Sequence, residues 1–351
     1  MGLTAVHQVL AGAAPRDAIT NHALQARDLF RSWGLTSEVF AGATHPGLAG
    51  DVHPAAAYPS RTSPDDTAVL HYSIDSPAFS IAADHSRRLL MHYHNITPAE
   101  LLWAHTPYIA LECAVGRRRL ASYVDRVVGS CADSGFNADE LAAFGFQKPA
   151  VTGILRAPID LPPPLPARPP GPTRLLFVGR GIANKAQHHV ILALAALYEA
   201  GHEAELTFVG GWDAAPEYRA ECRSLARDLG LAGSVHFAGS VDDRQLGVEY
   251  RAADLFVCLS DHEGFCVPLL EAMEAGLPIV AYNAGAVGET IGRGGLVLEQ
   301  KTPGLVAAAI IELMENTNLR DACRSDQGRT LRRLGHDQVS GRLRAFLDGH
   351  E

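Results

Sequence analysis

Apolar runs of strand length alternate with segments of helical period along most of the 351-residue chain. In the first half, the apolar runs are AVHQVLAG, SEVFAG, AVLHYSI, RLLMHYHN, RVVGSC and AVTGIL. Between several of them, segments such as NHALQARDLFRSWG and residues 99–124 have apolar residues at i, i+3 and i+4, which predicts helices. Strands that are apolar along their whole length are typical of parallel sheets covered on both faces. The first half therefore predicts an α/β fold with a parallel sheet.

The alternation is interrupted once, by the proline-rich stretch LPPPLPARPPGPT at 161–173. Proline this dense cannot join a helix or a central strand, so the stretch is predicted to be a linker. After it come the predicted strands RLLFVG, AELTFVGG, SVHFAG, DLFVCLS, PIVAYN and GLVLE. Several of the helical segments between them end at a glycine, and the tail from about residue 302 is helical. The pattern predicts two doubly wound domains facing each other, with boundaries at 1–165 and 166–330.

Composition and charge narrow the function classes. Hydrophobic residues make up 47% and charged residues 20% of the chain, as in ordinary globular proteins. A net charge of −9 disfavours nucleic acid as a partner. The longest apolar stretch, VILALAALY, is too short to span a bilayer, and the N-terminus lacks the basic and apolar regions of a signal peptide. Six cysteines without C-x-x-C spacing suggest neither zinc nor disulfides, so we expect a reducing cytoplasm.

Candidate chemistry is concentrated in HEGFCVPLLEA at 262–272, between a predicted strand and a predicted helix. Pro268 suits the first turn of that helix, where its missing N–H costs nothing. The segment is thus a strand-to-helix turn at the carboxyl end of a parallel sheet. Its unpaired backbone N–H groups form an anion or polyhydroxyl site. The predicted donors belong to Gly264, Phe265, Cys266 and Val267.

The two carboxylates of this segment, Glu263 and Glu271, indicate a ligand rich in hydroxyl groups. A carboxylate repels a phosphate, because both are negatively charged. It binds a diol, because an ionised carboxylate only accepts hydrogen bonds and hydroxyl groups can donate them. A nucleotide sugar offers sugar hydroxyls at one end, ribose hydroxyls at the other and a diphosphate between them. The alternative is that Glu263 caps the helix and Glu271 is a surface residue. For the pair alone, both interpretations stay open.

Two cations are predicted at the same sheet edge. In FVGRGIANKAQ, Arg180 and Lys185 follow the first strand of the second domain. Arginine binds oxyanions as a bidentate fork and lysine as a point charge, so together they suit a diphosphate. A solvated loop is the alternative for the cations alone. Their position on the same edge as the glutamate turn favours the binding site.

These segments resemble the retaining GT-B glycosyltransferases of glycosyltransferase family four, the E-x7-E type. The similarity runs almost continuously over residues 174–300, from FVGRGIANK to the E-G-F-x-x-P-x-x-E-A-M segment. In the first domain it is looser: GSCADSGFNADELAAFGF and LLMHYHNITP resemble family segments, the latter bringing a histidine to the donor sugar. The first loop departs from the family because AAPRDAI stands where a Gly-Gly pair is usual.

The resemblance implies the GT-B fold, two Rossmann-like domains facing across a cleft, and a role for each site residue. The first domain would bind the acceptor, the second the donor, and a helix at 331–351 would pack back on the first domain. Glu263 would hold donor-sugar hydroxyls, Glu271 the ribose, and Arg180 and Lys185 the diphosphate. The amides of Phe265, Cys266 and Val267 would meet sugar and phosphate. His94 is expected to face the donor, and His92 is its rival because strand alternation puts both on one face.

The activity so implied is transfer of a hexose, with retention, from a nucleoside diphosphate sugar to an acceptor hydroxyl. We expect a front-face mechanism without metal or cofactor, since the sequence identifies no nucleophile and has no D-x-D triplet. GDP-mannose is the favoured donor and a glucose donor comes next. The acceptor is a saccharide, a lipid-linked or a small molecule, with membrane association at most peripheral, at the inner face. The alternatives are a nucleotide-sugar epimerase or hydrolase on this fold and a non-catalytic nucleotide-sugar-binding protein.

Overall fold

A computed structural model describes residues 3–163 and 171–350 of the chain. The polypeptide forms two compact units. The first combines the residues up to Ile96 with Leu111–Ala157 and the residues from Leu334 onward. The second consists of Thr97–Ala110 and Pro158–Arg333. The predicted boundary at 165 and 166, and most of the proline-rich linker, lie outside the described residues.

The first unit contains a seven-stranded parallel sheet. Its strands are β1 (Val6–Ala13), β2 (Val39–Thr44), β3 (His53–Pro54), β4 (Thr67–Tyr72), β5 (Arg88–Tyr93), β6 (Gly129–Ala132) and β7 (Ala150–Val151). The helices along this part of the chain are α1 (Ala18–Ser32), α2 (Tyr58–Arg61), α3 (Pro77–His85), α4 (Pro107–Leu120) and α5 (Gly135–Ala143). The strand order is β3-β2-β1-β4-β5-β6-β7, so the direction of winding reverses between β1 and β4.

The second unit contains a six-stranded parallel sheet. Its strands are β8 (Thr173–Val178), β9 (Ala204–Val209), β10 (Val235–Gly239), β11 (Leu255–Cys258), β12 (Ile279–Tyr282) and β13 (Leu296–Leu298). Its helices are α6 (Gln187–Glu199), α7 (Pro216–Asp228), α8 (Asp243–Ala252), α9 (Val267–Glu274), α10 (Val287–Ile291), α11 (Pro303–Glu315) and α12 (Thr317–Arg333). The order β10-β9-β8-β11-β12-β13 places the reversal between β8 and β11. The prediction of two doubly wound parallel sheets is confirmed.

A last helix, α13 (His336–Asp348), belongs to the first unit. Its apolar residues Val339, Leu343, Phe346 and Leu347 are buried in one cluster with residues of β1, α1, β4, β5 and β6. Burying such a stripe removes several large side chains from water, each contributing about 1.5–3 kcal/mol. The end of the described chain is therefore part of the core of the unit in which the chain begins.

One predicted element differs from the structure. The helical period over residues 99–124 is broken: a 3-10 turn covers Ala99–Leu101, and α4 begins only at Pro107. The reason is steric, because the residue before a proline is disfavoured in helical conformation, and here that residue is Thr106. The two-residue edge strand β3 was not predicted, since it is too short to show a period.

No helix in the two described stretches has both the length and the hydrophobicity that a membrane crossing requires. All six cysteines are free and buried, as expected for small hydrophobic residues.

Candidate functional site

The glutamate turn joins β11 to α9 at the winding reversal of the second unit, where ligands bind in open α/β sheets. The helix begins at Val267 with a proline in its first turn, as predicted. The N–H groups at its start have no carbonyl one helical turn earlier to which they could donate. The preceding residue, Cys266, has φ 68°, the left-handed conformation that costs a non-glycine residue about 1–2 kcal/mol. A strained residue at a helix start is a feature often associated with binding sites.

Lys185 and Glu263 form the centre of the site. The lysine Nζ lies 2.7 and 2.8 Å from the two carboxylate oxygens of Glu263, although 78 positions separate them in sequence. The Glu263 side chain is 7% exposed and that of Lys185 22%. Burial alone would lower the pKa of Lys185, but the Glu263 carboxylate beside it raises that pKa above its ordinary value. The ammonium thus keeps its charge, and of its three N–H donors one is left for another acceptor.

The backbone around Glu263 is held by α10 and by the residue before it. The N–H of Ala286 donates to the carbonyl of Glu263 at 2.8 Å, and the hydroxyl of Thr290 donates to the carbonyl of Phe265 at 2.7 Å. Gly285 has φ +58°, and a Cβ there would lie 2.3 Å from the same Glu263 carbonyl oxygen. Glycine is required at this position because both the conformation and the close approach exclude a side chain.

Glu271 is oriented by a residue that sequence reasoning did not identify. Tyr250, a fully buried residue of α8, donates its hydroxyl to Glu271 Oε2 at 2.7 Å and lies 3.3 Å from the carbonyl of Pro268. A buried tyrosine usually needs a partner for its hydroxyl. The only sequence signal is a tyrosine two residues before the end of the helix that leads into β11, which alone indicates core packing.

Arg180 lies just beyond the end of β8 and is exposed. Its carbonyl accepts from Gln187 Nε2 at 2.8 Å, which fixes the backbone, while its side chain has no hydrogen bond or ion pair within the described parts of the chain. The next residue is Gly181, where a Cβ would lie 2.0 Å from the ring of Trp212. The backbone of this loop is therefore closely packed, while the guanidinium of Arg180 is available to bind a ligand.

The predicted histidines lie in the first unit, at the carboxyl end of β5. His94 contacts Asp133 Oδ2 through Nδ1 at 2.9 Å and His71 through Nε2 at 2.9 Å. His92 contacts Asp133 Oδ1 at 2.8 Å and His22 at 3.1 Å. Both side chains are only 1% exposed, and their rings stack with centroids 4.3 Å apart. Asp133, the carboxylate directly after β6, and the other two histidines were not predicted from the sequence.

Residues 165–328 match the family described as glycosyl transferases group 1. A GDP-mannose-dependent alpha-(1-6)-phosphatidylinositol monomannoside mannosyltransferase of Mycobacterium tuberculosis is 32% identical over 40% of this chain and 38% of its own length. A D-inositol 3-phosphate glycosyltransferase of Thermomonospora curvata is 28% identical over 76% of this chain and 65% of its own. The aligned part of the chain thus spans between about two fifths and two thirds of these relatives.

Among solved structures, HepE of Anabaena in complex with UDP-glucose superposes with a TM-score of 0.73, covering 98% of this chain and 99% of that one. The sequence identity is 20%, so this similarity establishes the GT-B fold and nothing finer. Together, the matched segment and the fold of both units confirm the resemblance stated from the sequence. Residues 165–328 thus belong to the glycosyl transferases group 1, and the chain as a whole has the GT-B fold, the fold of the retaining glycosyltransferases of family four.

Proposed function

We propose that the protein transfers a hexose, with retention of configuration, from a nucleoside diphosphate sugar to an acceptor hydroxyl. The observation that carries the proposal is the buried pair of Lys185 and Glu263 at the winding reversal of the second unit. A buried ion pair is weak evidence for stability, because desolvation offsets much of the attraction between the charges. A ligand that offers both hydroxyl and phosphate groups explains why this pair stands at a strand end.

Hydrogen-bonding capacity supports this assignment. Each Glu263 oxygen accepts one bond from Lys185 and retains room for a donor-sugar hydroxyl. The remaining N–H of Lys185 would donate to the diphosphate, which Arg180 would bind as a fork. The amides of Gly264, Phe265, Cys266 and Val267 meet sugar and phosphate. Glu271, which accepts a hydrogen bond from Tyr250, binds the ribose hydroxyls.

The proposed mechanism is a front-face substitution, in which the departing diphosphate itself takes the proton of the acceptor. Negative charge builds on the diphosphate in the transition state, and Arg180, Lys185 and the start of α9 stabilise it, which makes the site metal-independent. Losing one such group costs about 3–4 kcal/mol, or about 10²–10³ in rate. Closure of the site against water would limit hydrolysis of the donor.

The identity of the donor sugar is part of the proposal. GDP-mannose is favoured, since one similar protein is named as GDP-mannose-dependent, and glucose is the alternative, since HepE was solved with UDP-glucose. In the first unit, which is proposed to bind the acceptor, His94 is the candidate donor-facing residue and His92 its rival. The acceptor is proposed to be a saccharide, a lipid-linked or a small molecule, and the compartment the cytoplasm, with at most peripheral membrane contact.

The experiment is a two-stage screen. Thermal unfolding is measured with GDP, UDP and their mannose and glucose conjugates, and the stabilising donor is then incubated with acceptors. Transfer with the anomeric configuration retained supports the proposal. Donor converted to an epimer or free sugar in the absence of acceptor indicates an epimerase or hydrolase, and stabilisation without any turnover indicates a binding protein. Glu271→Gln serves as the matched variant, because it keeps the size of the side chain and removes the charge.

A further inference from the structure

Four histidines of the first unit form one buried cluster at the carboxyl ends of β4 and β5. They are His22 on α1, His71 on β4, His92 on β5 and His94 directly after β5, here called the histidine cluster. One ring nitrogen from each lies within 4.8 Å of the others, and each residue is at most 8% exposed. Polar groups so buried must be hydrogen-bonded, and the bonds determine where the protons are.

In the half of the cluster formed by His22 and His92, neutral rings account for all the hydrogen bonds. The backbone N–H of Leu155 donates to His22 Nδ1 at 2.8 Å, so the proton of that ring is on Nε2. Nε2–H donates to His92 Nδ1 at 3.1 Å, and His92 in turn donates from Nε2 to Asp133 Oδ1 at 2.8 Å. Every donor in this half meets an acceptor.

In the other half, formed by His71 and His94, neutral rings do not account for all the hydrogen bonds. His94 Nδ1 faces Asp133 Oδ2 at 2.9 Å, and His71 Nε2 faces Gln8 Oε1 at 2.8 Å. Both partners are acceptors, so both of these nitrogens carry protons; the Gln8 amide is oriented by its Nε2, which faces the carbonyl of Val6 at 3.4 Å. The remaining nitrogens, His94 Nε2 and His71 Nδ1, are 2.9 Å apart. Two neutral rings would there oppose lone pair to lone pair.

We propose that His71 and His94 share one proton, forming a buried imidazolium–imidazole pair whose charge is balanced by Asp133. The two ring planes differ by only 11° and their centroids are 5.2 Å apart. Since the N···N distance and the radii of the two rings account for that separation, the rings lie end to end. This is the geometry of a linear N–H···N hydrogen bond.

The same geometry disfavours a metal ion in this position. Zinc binds imidazole nitrogens at about 2.0–2.1 Å in tetrahedral sites, which holds the nitrogens farther apart than 2.9 Å. An ion also lies close to the plane of each ligating ring, whereas the rings of His92 and His94 stack at 18° with centroids 4.3 Å apart. His22 offers no lone pair to the cluster, because Leu155 N–H occupies its Nδ1.

Charge balance supports a single proton. Asp133 is 4% exposed, and a buried carboxylate without a counter-charge is very costly. Burial alone would raise the pKa of Asp133, but the charge of His94 and the hydrogen bonds from His92 and His94 hold it below its usual value. A second proton is resisted, since burial and then the charge of His94 hold the pKa of His71 well below its usual value.

The shared proton has a consequence for the reaction, which rests on the proposed function. A His94 ring with a proton on Nδ1 and a shared proton on Nε2 has no free lone pair. It therefore cannot act as a general base, and it can face a donor only as a positively polarised ring. His71 and Asp133 become positioning residues, because they fix the orientation and the charge of His94.

The test is nitrogen-15 NMR of the full-length protein with labelled histidines at pH 7.5, with assignment by His71→Gln and His94→Gln. We expect His71 Nδ1 and His94 Nε2 to resonate as one strongly coupled, protonated pair, and this signal to vanish in Asp133→Asn. Asp66→Asn is the matched control, because Asp66 pairs with His7 at 3.1 Å in the same unit, and it should leave the pair unchanged.

The wild-type spectrum decides the proposal even if Asp133→Asn does not fold. Two neutral rings, each with one unprotonated nitrogen, would overturn it and imply the opposite orientation of the Gln8 amide. So would stoichiometric zinc in elemental analysis together with a spectrum that changes on adding EDTA. These readouts need neither donor nor turnover, so a protein that fails the transferase assay can still show the shared proton.

Discussion

Breaking the pair of Lys185 and Glu263 tests both the stability and the chemistry of the site. Lys185→Met keeps most of the aliphatic stem and removes the ammonium, which leaves a carboxylate with 7% exposure unpaired. Such a loss costs about 3–5 kcal/mol for a fully buried pair. Because the lysine side chain is 22% exposed, we expect the lower end, about 3 kcal/mol. For a unit of this size that corresponds to a fall in Tm of about 6–12 °C.

A double-mutant cycle separates the pair from its surroundings. Glu263→Gln alone leaves the lysine facing an amide, and the double variant leaves neither charge. We expect the two single losses to exceed the loss in the double variant by about 2 kcal/mol, within the range for residues in contact. The assay is urea unfolding followed by fluorescence, repeated with a saturating nucleoside diphosphate, which should stabilise the wild type more than Lys185→Met.

The control is Lys301→Met. Lys301 pairs with Asp261, whose side chain is 32% exposed, so water can solvate the carboxylate that is left. We expect this variant to lose about 1 kcal/mol and to keep its response to the nucleotide. The reasoning is refuted if the Lys185 and Glu263 effects add to within about 0.5 kcal/mol, since independent sites behave in that way.

Three further predictions concern other parts of the molecule. Tyr250→Phe should raise the donor KM about fivefold and leave kcat nearly unchanged, because Glu271 loses a 2.7 Å hydrogen bond worth about 1 kcal/mol; initial-rate kinetics would contradict this if KM did not move. Gly285→Ala should destabilise the protein far more than Gly276→Ala: both have positive φ, but only at 285 does a Cβ meet a carbonyl oxygen, at 2.3 Å, and equal Tm values would count against that contact. Burial lowers the pKa of His188 to about 4, so the unfolded chain takes up a proton first as pH falls below 6.5. Stability should therefore fall between pH 6.5 and 4, and less so in His188→Gln, which acid titration of Tm would show.

Both sheets, and the turn that carries Glu263, could be predicted from the sequence because their signals are local. Uninterrupted apolar runs indicate the parallel strands, and Pro268 in the first turn of α9 indicates where that helix starts. Arg180 was predicted at a strand end for the same reason, and it lies just beyond the end of β8. In each case neighbouring residues determine the conformation.

Pairings across the sheet could not be predicted, because nothing local specifies them. Lys185 was expected at a diphosphate and Glu263 at hydroxyls, but no local pattern indicates that these two residues, 78 positions apart, contact each other. Similarly, His92 and His94 were placed on one face by strand alternation, but Asp133 reaches them only because β6 lies next to β5 in the sheet. Such contacts depend on strand order, which the apolar pattern leaves open.

The position of α13 has a consequence for biosynthesis. Val339, Leu343 and Phe346 fill the same cluster as Val6 and Phe30, so that interior is incomplete while the chain is still being translated. The second unit, whose last residue is Arg333, is translated before α13. The first unit therefore cannot complete its core until α13 has also been translated. During that interval its apolar surface is exposed to chaperones or to aggregation, so nascent chains stalled before residue 336 should be far more sensitive to protease than released ones.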